Sequence, residues 1–212
     1  MKNSQTKLPA ARKYFPMLLS FLIILGIGAF VQTAQGQIPY KIAEGSKITV
    51  SGTSNLHDWT MLANNFTCEA IFKMKSGQVQ DLNSLNFILP VTNLKSKETL
   101  MDTRAYKALK ADKFNQITFK LTDAMVVQKT IKATGNLTIA GITQQITIQG
   151  AYSLNNEGTI TLTGNEPVKM SDYGMKAPSF MLGALRTGNE VTIDILLKLK
   201  ASNLVTQAIS TK

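Results

Sequence analysis

The stretch Ile131-Lys-Ala-Thr-Gly-Asn-Leu-Thr-Ile-Ala-Gly-Ile-Thr-Gln-Gln-Ile-Thr-Ile-Gln-Gly-Ala-Tyr-Ser-Leu154 decides the fold. Ile131, Ala133, Gly135, Leu137 and Ile139 take alternate positions, with Lys132, Thr134, Asn136 and Thr138 between them. After Ala140-Gly141-Ile142 the alternation resumes. Ile146, Ile148, Gly150, Tyr152 and Leu154 now stand against Gln145, Thr147, Gln149 and Ser153. Successive side chains of an extended chain point to opposite faces, so each half reads as a strand with one apolar and one polar face. The short break between them reads as a hairpin turn. Such clean alternation belongs to an antiparallel sheet that is wet on one side only.

The same period runs outward in both directions. Upstream, Ile48, Val50 and Gly52 oppose Lys47, Thr49 and Ser51. Phe66, Cys68, Ala70, Phe72 and Met74 share a face, as do Leu85, Phe87, Leu89 and Val91, and then Ile117, Phe119 and Leu121. Downstream come Ile160 and Leu162, and finally Val191, Ile193, Ile195, Leu197 and Leu199. This makes about eight strands in an all-β chain. A single open sheet of that size would leave its apolar face in water, so the strands form a closed barrel or a two-sheet sandwich. Gly52, Gly135 and Gly150 fall on the apolar face, where glycine marks a bend or a close backbone approach. One stretch departs from the pattern. Met101, Ala105, Ala108 and Leu109 recur at helical spacing between Ser96 and Lys110. Ser96 is the expected N-cap, with Glu98 in the first turn and Lys107 and Lys110 in the last. This amphipathic helix is expected to close one end of the barrel. Residues 167–188 read as a long functional connection before the last strand.

The first 36 residues read differently. Lys2, Lys7, Arg12 and Lys13 precede an apolar run of 15 residues, 17–31, and Ala34-Gln35-Gly36 follows. The run is shorter than the ~20 residues that a membrane-spanning helix needs, and small residues occupy the cleavage positions. The expectation is a signal peptide over 1–36, a barrel domain over 37–212, and a periplasmic or secreted mature protein. The full chain carries 23 basic against 13 acidic residues, and the part from Gln37 onward carries 19 against the same 13.

Reactive groups are scarce. One Cys and one His exclude an intramolecular disulfide, a Cys/His zinc site and an HExxH helix, so no metal and no cofactor are expected. Cys68 is therefore buried or pairs between chains in a homodimer. His57-Asp58 lies near Ser51 and Ser54. However, neighbouring residues on a strand face opposite ways, and no Gly-x-Ser-x-Gly elbow is present. The pair reads as a turn whose polar groups bond the backbone, and no enzyme is expected. The basic stretch 95–113 reads as a solvated helix face. Without interleaved aromatics it offers nothing for nucleic acid to stack on. The apolar interior is then the one interaction site. An eight-stranded barrel is filled by side chains or holds one small ligand. With 11 aromatics after Gly36, composition alone places the filled core ahead.

Four pieces carry a resemblance: Val50-Ser-Gly-Thr-Ser-Asn-Leu-His-Asp-Trp59; Tyr106-Lys-Ala-Leu-Lys-Ala-Asp-Lys-Phe114 with Ile117-Thr-Phe119; Gly135-Asn-Leu-Thr-Ile-Ala-Gly-Ile-Thr143; and Met170-Ser-Asp-Tyr-Gly-Met-Lys-Ala-Pro178 with Thr187-Gly-Asn-Glu-Val191. From about Tyr40 to Leu199 the chain resembles the YceI-like, lipocalin-like family of exported bacterial proteins. It lacks the Arg-Asp-x-x-Leu pattern of the better-known branch, reading Met101-Asp-Thr-Arg-Ala-Tyr106 instead. The resemblance implies an elongated eight-stranded antiparallel barrel with one helix near an end. It also implies an apolar tunnel that holds a polyisoprenoid such as a quinone or prenyl phosphate. By face and loop position, Phe66, Phe72, Phe87, Phe119, Met170, Tyr173 and Phe180 are the candidates to line a bound chain. Arg104 and Arg186 are the candidates to meet its polar end. The alternative function is a ligand-free structural or stress-related barrel with a filled core.

Overall fold

The computed structural model describes residues 36–202, apart from the Phe180 side chain. The expected leader thus lies outside the described residues except for Gly36. Eleven strands follow in order: β1 (Gln37–Ile42), β2 (Lys47–Ser54), β3 (Trp59–Ala63), β4 (Thr67–Lys75), β5 (Gln78–Pro90), β6 (Gln116–Val127), β7 (Thr130–Ile139), β8 (Ile142–Leu154), β9 (Ile160–Lys169), β10 (Ser179–Phe180) and β11 (Leu185–Ala201). One helix, α1 (Thr99–Ala108), sits between β5 and β6.

All pairings are antiparallel, and the sheet runs β1-β4-β5-β6-β7-β8-β9-β11 before β1 pairs back onto β11. Those eight strands close the barrel, one of the two arrangements that the alternation allowed. β11 spans 17 residues, roughly 55 Å at the usual strand rise. One edge of β11 is shared. Val191–Leu196 pair with β2, and Leu199–Ala201 pair with β1. Ser46 fills the joint between the two: its Oγ accepts from the Lys198 N–H at 2.8 Å and lies 2.8 Å from the Ala43 carbonyl, to which it donates. Without that hydroxyl a buried backbone group would stand unpaired at a cost of about 1–3 kcal/mol. β2 carries β3 on its far side, and β3 is tied to the chain ahead of α1 by two Leu62–Lys95 backbone bonds of 2.7 and 2.8 Å.

β1, β3 and β10 are strands that the period-2 reading did not resolve. α1 is shorter than 96–110, and Glu98, not Ser96, occupies its N-cap position without a side-chain bond. Ser96 shapes the entering turn instead: its N–H donates to Asp102 Oδ1 at 2.7 Å, and its Oγ accepts from the Glu98 N–H at 3.1 Å. The long connection also shrinks. β9 runs to Lys169 and β11 begins at Leu185, leaving a 3-10 turn at Met170–Tyr173 and the short β10 between them.

The core differs along the barrel axis. At the end away from α1 it is filled. The Tyr40 and Phe72 rings meet edge-to-face at 5.2 Å, and Ile160 and Leu199 are fully buried beside them. Towards α1 small residues face inward. A side chain on Gly135 would strike the Phe119 ring, and one on Gly150 would strike the Thr163 carbonyl. At that contact Gly150 pairs with Gly164, and the β8–β9 ladder runs from there only to Leu154–Ile160. Beyond it Ile142–Gln149 pair with β7 alone and Asn165–Lys169 with β11 alone, so the wall parts. Pro167 lies in the parted section, where a strand edge tolerates a residue with no N–H.

Cys68 sits on the inward face of β4 at 1% exposure, and burial, then the Glu69 charge, push its thiol up to about 12. We expect Ellman's reagent or iodoacetamide at pH 8 to leave it unmodified until denaturant unfolds the barrel. Rapid labelling of the folded protein would show the register of β4 to be shifted by one residue.

Candidate functional site

The hollow section holds two chambers. The inner one, about 130 Å³, lies between β5 to β9 and β11; its lining includes Phe87, Phe119, Ile131 and Ala133. Apart from Thr163 and Glu166, every side chain around it is hydrocarbon. Ala133, Gly150 and Gly164 leave the volume that larger residues would occupy. The outer chamber, about 230 Å³, lies under α1 and is bounded by Trp59, Met101, Ala105, Leu109, Met170 and Met175. Ile117 lines both, so its side chain stands between the two chambers.

Local chemistry holds α1 across the mouth. The Tyr106 hydroxyl lies 2.7 Å from the Leu94 carbonyl and 3.0 Å from that of Thr92, and it donates to these oxygens. The Lys95 ammonium stands 5.3 Å from the Tyr106 ring centre, a cation–π contact. Asp102, buried on the helix, faces the same lysine at 3.8 Å. Two loops form the rim opposite α1, and Asn55 stitches them. Its Nδ2 donates to the Ala184 carbonyl at 2.7 Å, and its Oδ1 accepts from the Arg186 N–H at 2.8 Å.

The sequence-derived candidates separate by depth. Phe87 and Phe119 line the inner chamber, and Met170, Arg104 and Arg186 line the outer one. Phe66 packs behind Phe87 with ring centres 5.2 Å apart. Phe72 belongs to the filled end with Tyr40. Tyr173 is buried at the parting of the barrel wall, where it borders a groove with Gln144, Gln145 and Lys169. Phe180 has its side chain outside the described residues. Arg186 also donates through Nε to the Gly183 carbonyl at 2.7 Å, which holds its guanidinium at the rim.

Two residues were not singled out from sequence. Trp59 lines the outer chamber, with its Nε1 donating to the Thr53 carbonyl at 3.1 Å. Glu166 follows Leu162 and Gly164 on the inward face of β9, and burial raises its carboxyl pKa. The alternation of β9 carried that signal once the strand was extended beyond Thr163. His57 lies at the rim as part of a polar turn. Ser54 Oγ donates to the His57 carbonyl at 2.7 Å and accepts from the His57 N–H at 3.1 Å. Its ring Nδ1 is 2.8 Å from the Asp58 carbonyl, so the imidazole is engaged with backbone. Among the described residues no group of three His, Cys, Asp or Glu side chains is placed to hold a metal ion.

A YceI-like domain model matches residues 40–199. The chain belongs to the YceI-like family. Among solved structures, this YceI-like chain is similar to BcnA of Burkholderia cenocepacia, with 18% identity and a TM-score of 0.62 over 72% of this chain and 95% of that one. It is also similar to a polyisoprenoid-binding domain from Saccharophagus degradans implicated in plant cell wall breakdown. There the identity is 12% and the TM-score 0.61, over 79% of this chain and 100% of that one. A Campylobacter jejuni YceI protein shares 18% identity at a TM-score of 0.51, over 63% of this chain and 81% of its own. At these identities the likeness is one of fold. No curated protein matches the chain.

The raised pKa of Glu166 has a sign that stability measurements can read. The folded protein holds this proton more tightly than the unfolded chain, so its contribution is present below the ordinary value of 4.5 and is lost as pH rises through the folded pKa. Relative to Glu166→Gln, wild type should lose stability between pH 4.5 and 7, read as urea midpoints at the two pH values. A gap between the two proteins that stays constant with pH would contradict the burial of this carboxyl.

Proposed function

We propose that this YceI-like barrel is a non-enzymatic binding protein that holds an isoprenoid or other long-chain lipid in its lumen. The observation that carries the reading is the hydrocarbon-lined inner chamber, next to an outer chamber flanked by Arg104 and Arg186. An apolar chain would lie along Phe87, Phe119 and Ile117, with an anionic or polar end at the arginines. The polyisoprenoid-binding domain of similar fold supports the same ligand class. Each buried methylene contributes about 0.8 kcal/mol, so about ten contribute roughly 8 kcal/mol before the cost of ordering the chain. Residues 1–36 act as a cleaved leader, which places the mature protein in the periplasm or outside the cell.

Two measurements test this. Solvent extracts of the purified protein should yield a long-chain lipid by mass spectrometry, and Ala133→Trp should abolish it while the β circular dichroism persists. Ala133 lines the inner chamber on β7, and an indole there occupies the space the chain would take. Wild type without extractable lipid, or a variant that retains it, would leave the ligand-free structural barrel as the reading. Separately, intact-mass analysis of protein from cells should start at Gln37. Full-length protein in the membrane fraction would refute cleavage.

A further inference from the structure

The β10–β11 hairpin carries its apolar residues outward at the rim of the outer chamber. Ser179 pairs with Arg186 and Phe180 with Leu185, and a 3.1 Å bond from the Ala184 N–H to the Met181 carbonyl closes the Met181–Gly183 turn between them. Met181 is 75% exposed and Leu182 is fully exposed. Both hold left-handed backbone, at φ 51° and 55°, a region that favours glycine and asparagine over other residues. A turn that only connects two strands would carry Gly or Asn at such positions. Here the chain gives up that preference and sets two long apolar side chains in water. Asn55 fixes the turn against the neighbouring loop: besides its two side-chain bonds, its N–H donates to the Arg186 carbonyl at 3.1 Å. The next residue, Leu56, is exposed and borders the same chamber. On the α1 side, Leu100 is exposed one turn before Arg104, which also lines the chamber. Residues four apart share a helix face, so exposed apolar side chains stand on both sides of the mouth.

The charge around these residues narrows what meets them. The segments 54–59, 97–108 and 175–187 hold five cations, Lys97, Arg104, Lys107, Lys176 and Arg186, against three acids, Asp58, Glu98 and Asp102. Asp102 is buried and faces Lys95, which leaves the exposed rim more basic still. A second copy of the chain would bring the same cations against these, and like charges across an interface repel. An anionic bilayer matches both features: its acyl boundary takes Leu and Met side chains, and its phosphates take Lys and Arg. We infer that the mouth of the outer chamber is a docking surface for an anionic lipid bilayer, with Leu56, Met181 and Leu182 entering the headgroup boundary. Docking would set the open end of the apolar interior against the membrane. It does not require an occupied lumen, so it goes beyond the carrier reading and stands or fails apart from it.

The test expresses the full chain and floats protein from the soluble fraction with vesicles of phosphatidylglycerol and phosphatidylcholine, or of phosphatidylcholine alone. Wild type should partition onto the anionic vesicles about tenfold or more above the neutral ones, and high salt should remove most of that difference. The double variant Met181→Asn with Leu182→Asn should bind anionic vesicles about tenfold or more weakly. Asn suits left-handed backbone, so this variant should fold with an equal or higher Tm. Met125→Asn removes an exposed apolar side chain from the end of β6 away from α1 and should bind as wild type does. Wild type that does not partition onto anionic vesicles, a double variant that binds undiminished, or an equal loss in Met125→Asn overturns the docking surface. A wild-type dimer in solution that the double variant breaks overturns it too, because a second copy then covers the tip. None of these outcomes bears on the lumen, which lipid extraction and Ala133→Trp test separately.

Discussion

A sheet with one apolar face must hide that face, and here the sheet does so by closing on itself. The short pairing of β1 with the last residues of β11 completes that closure. Three residue pairs carry it, helped by Ser46 at the joint where β11 passes from β2 to β1. Each inward residue depends on this seam, because an open edge beside Tyr40 and Leu199 would admit water to the filled end of the core.

Given closure, the size of the inward residues decides where the barrel is solid and where it is hollow. Aromatic and branched residues meet across the filled end, where Tyr40, Phe72, Ile160 and Leu199 are buried. Towards α1 the inward positions include Ala133, Gly135, Gly150 and Gly164, and opposing walls cannot compensate for the missing volume. The tight Gly150–Gly164 crossing also ends the β8–β9 ladder. One small-residue pair thus produces both cavity volume and a lateral opening. The composition argument for a filled core missed this because an average over the chain does not register that the small residues gather in one half.

The strands whose alternation is unbroken, β7 and β8, were legible almost to the residue. β5 was legible only in its second half. Register shifts at Ile71/Phe72 and Lys73/Met74 rephase its first half, so that Val79, Leu82 and Leu85 face inward at a spacing no period-2 template matches. The shift between Leu121 and Asp123 likewise moves the inward set of β6 from Phe119 to Ala124 and Val126. β1 and β3 are short; β1 takes its pairing from β4 and β11, distant in sequence, while β3 is a five-residue strand on the outer edge of β2. The helix core of Met101, Ala105 and Leu109 was legible, but its cap was not, because Asp102 reaches back to Ser96 from within the helix. For the site, face assignment found Phe87 and Phe119. It could not separate them from Phe66 and Phe72, since depth along a barrel axis is a property of the closed structure. Glu166 escaped because strand assignment stopped short of it.

The shared edge of β11 also dictates an order of events. Until the last strand arrives, β2, β9 and the end of β1 each have one unpaired edge, because all three pair with β11. The strands from β4 to β9 can assemble from neighbours in sequence, with α1 between β5 and β6, but they stay an open, curled sheet with its apolar face exposed. Closure joins Tyr40 to Ala201 across almost the entire described chain, and long-range closure of this kind is slow. The barrel therefore has no partial version of its lumen: the cavity is complete when the seventeen residues of β11 dock along both waiting edges.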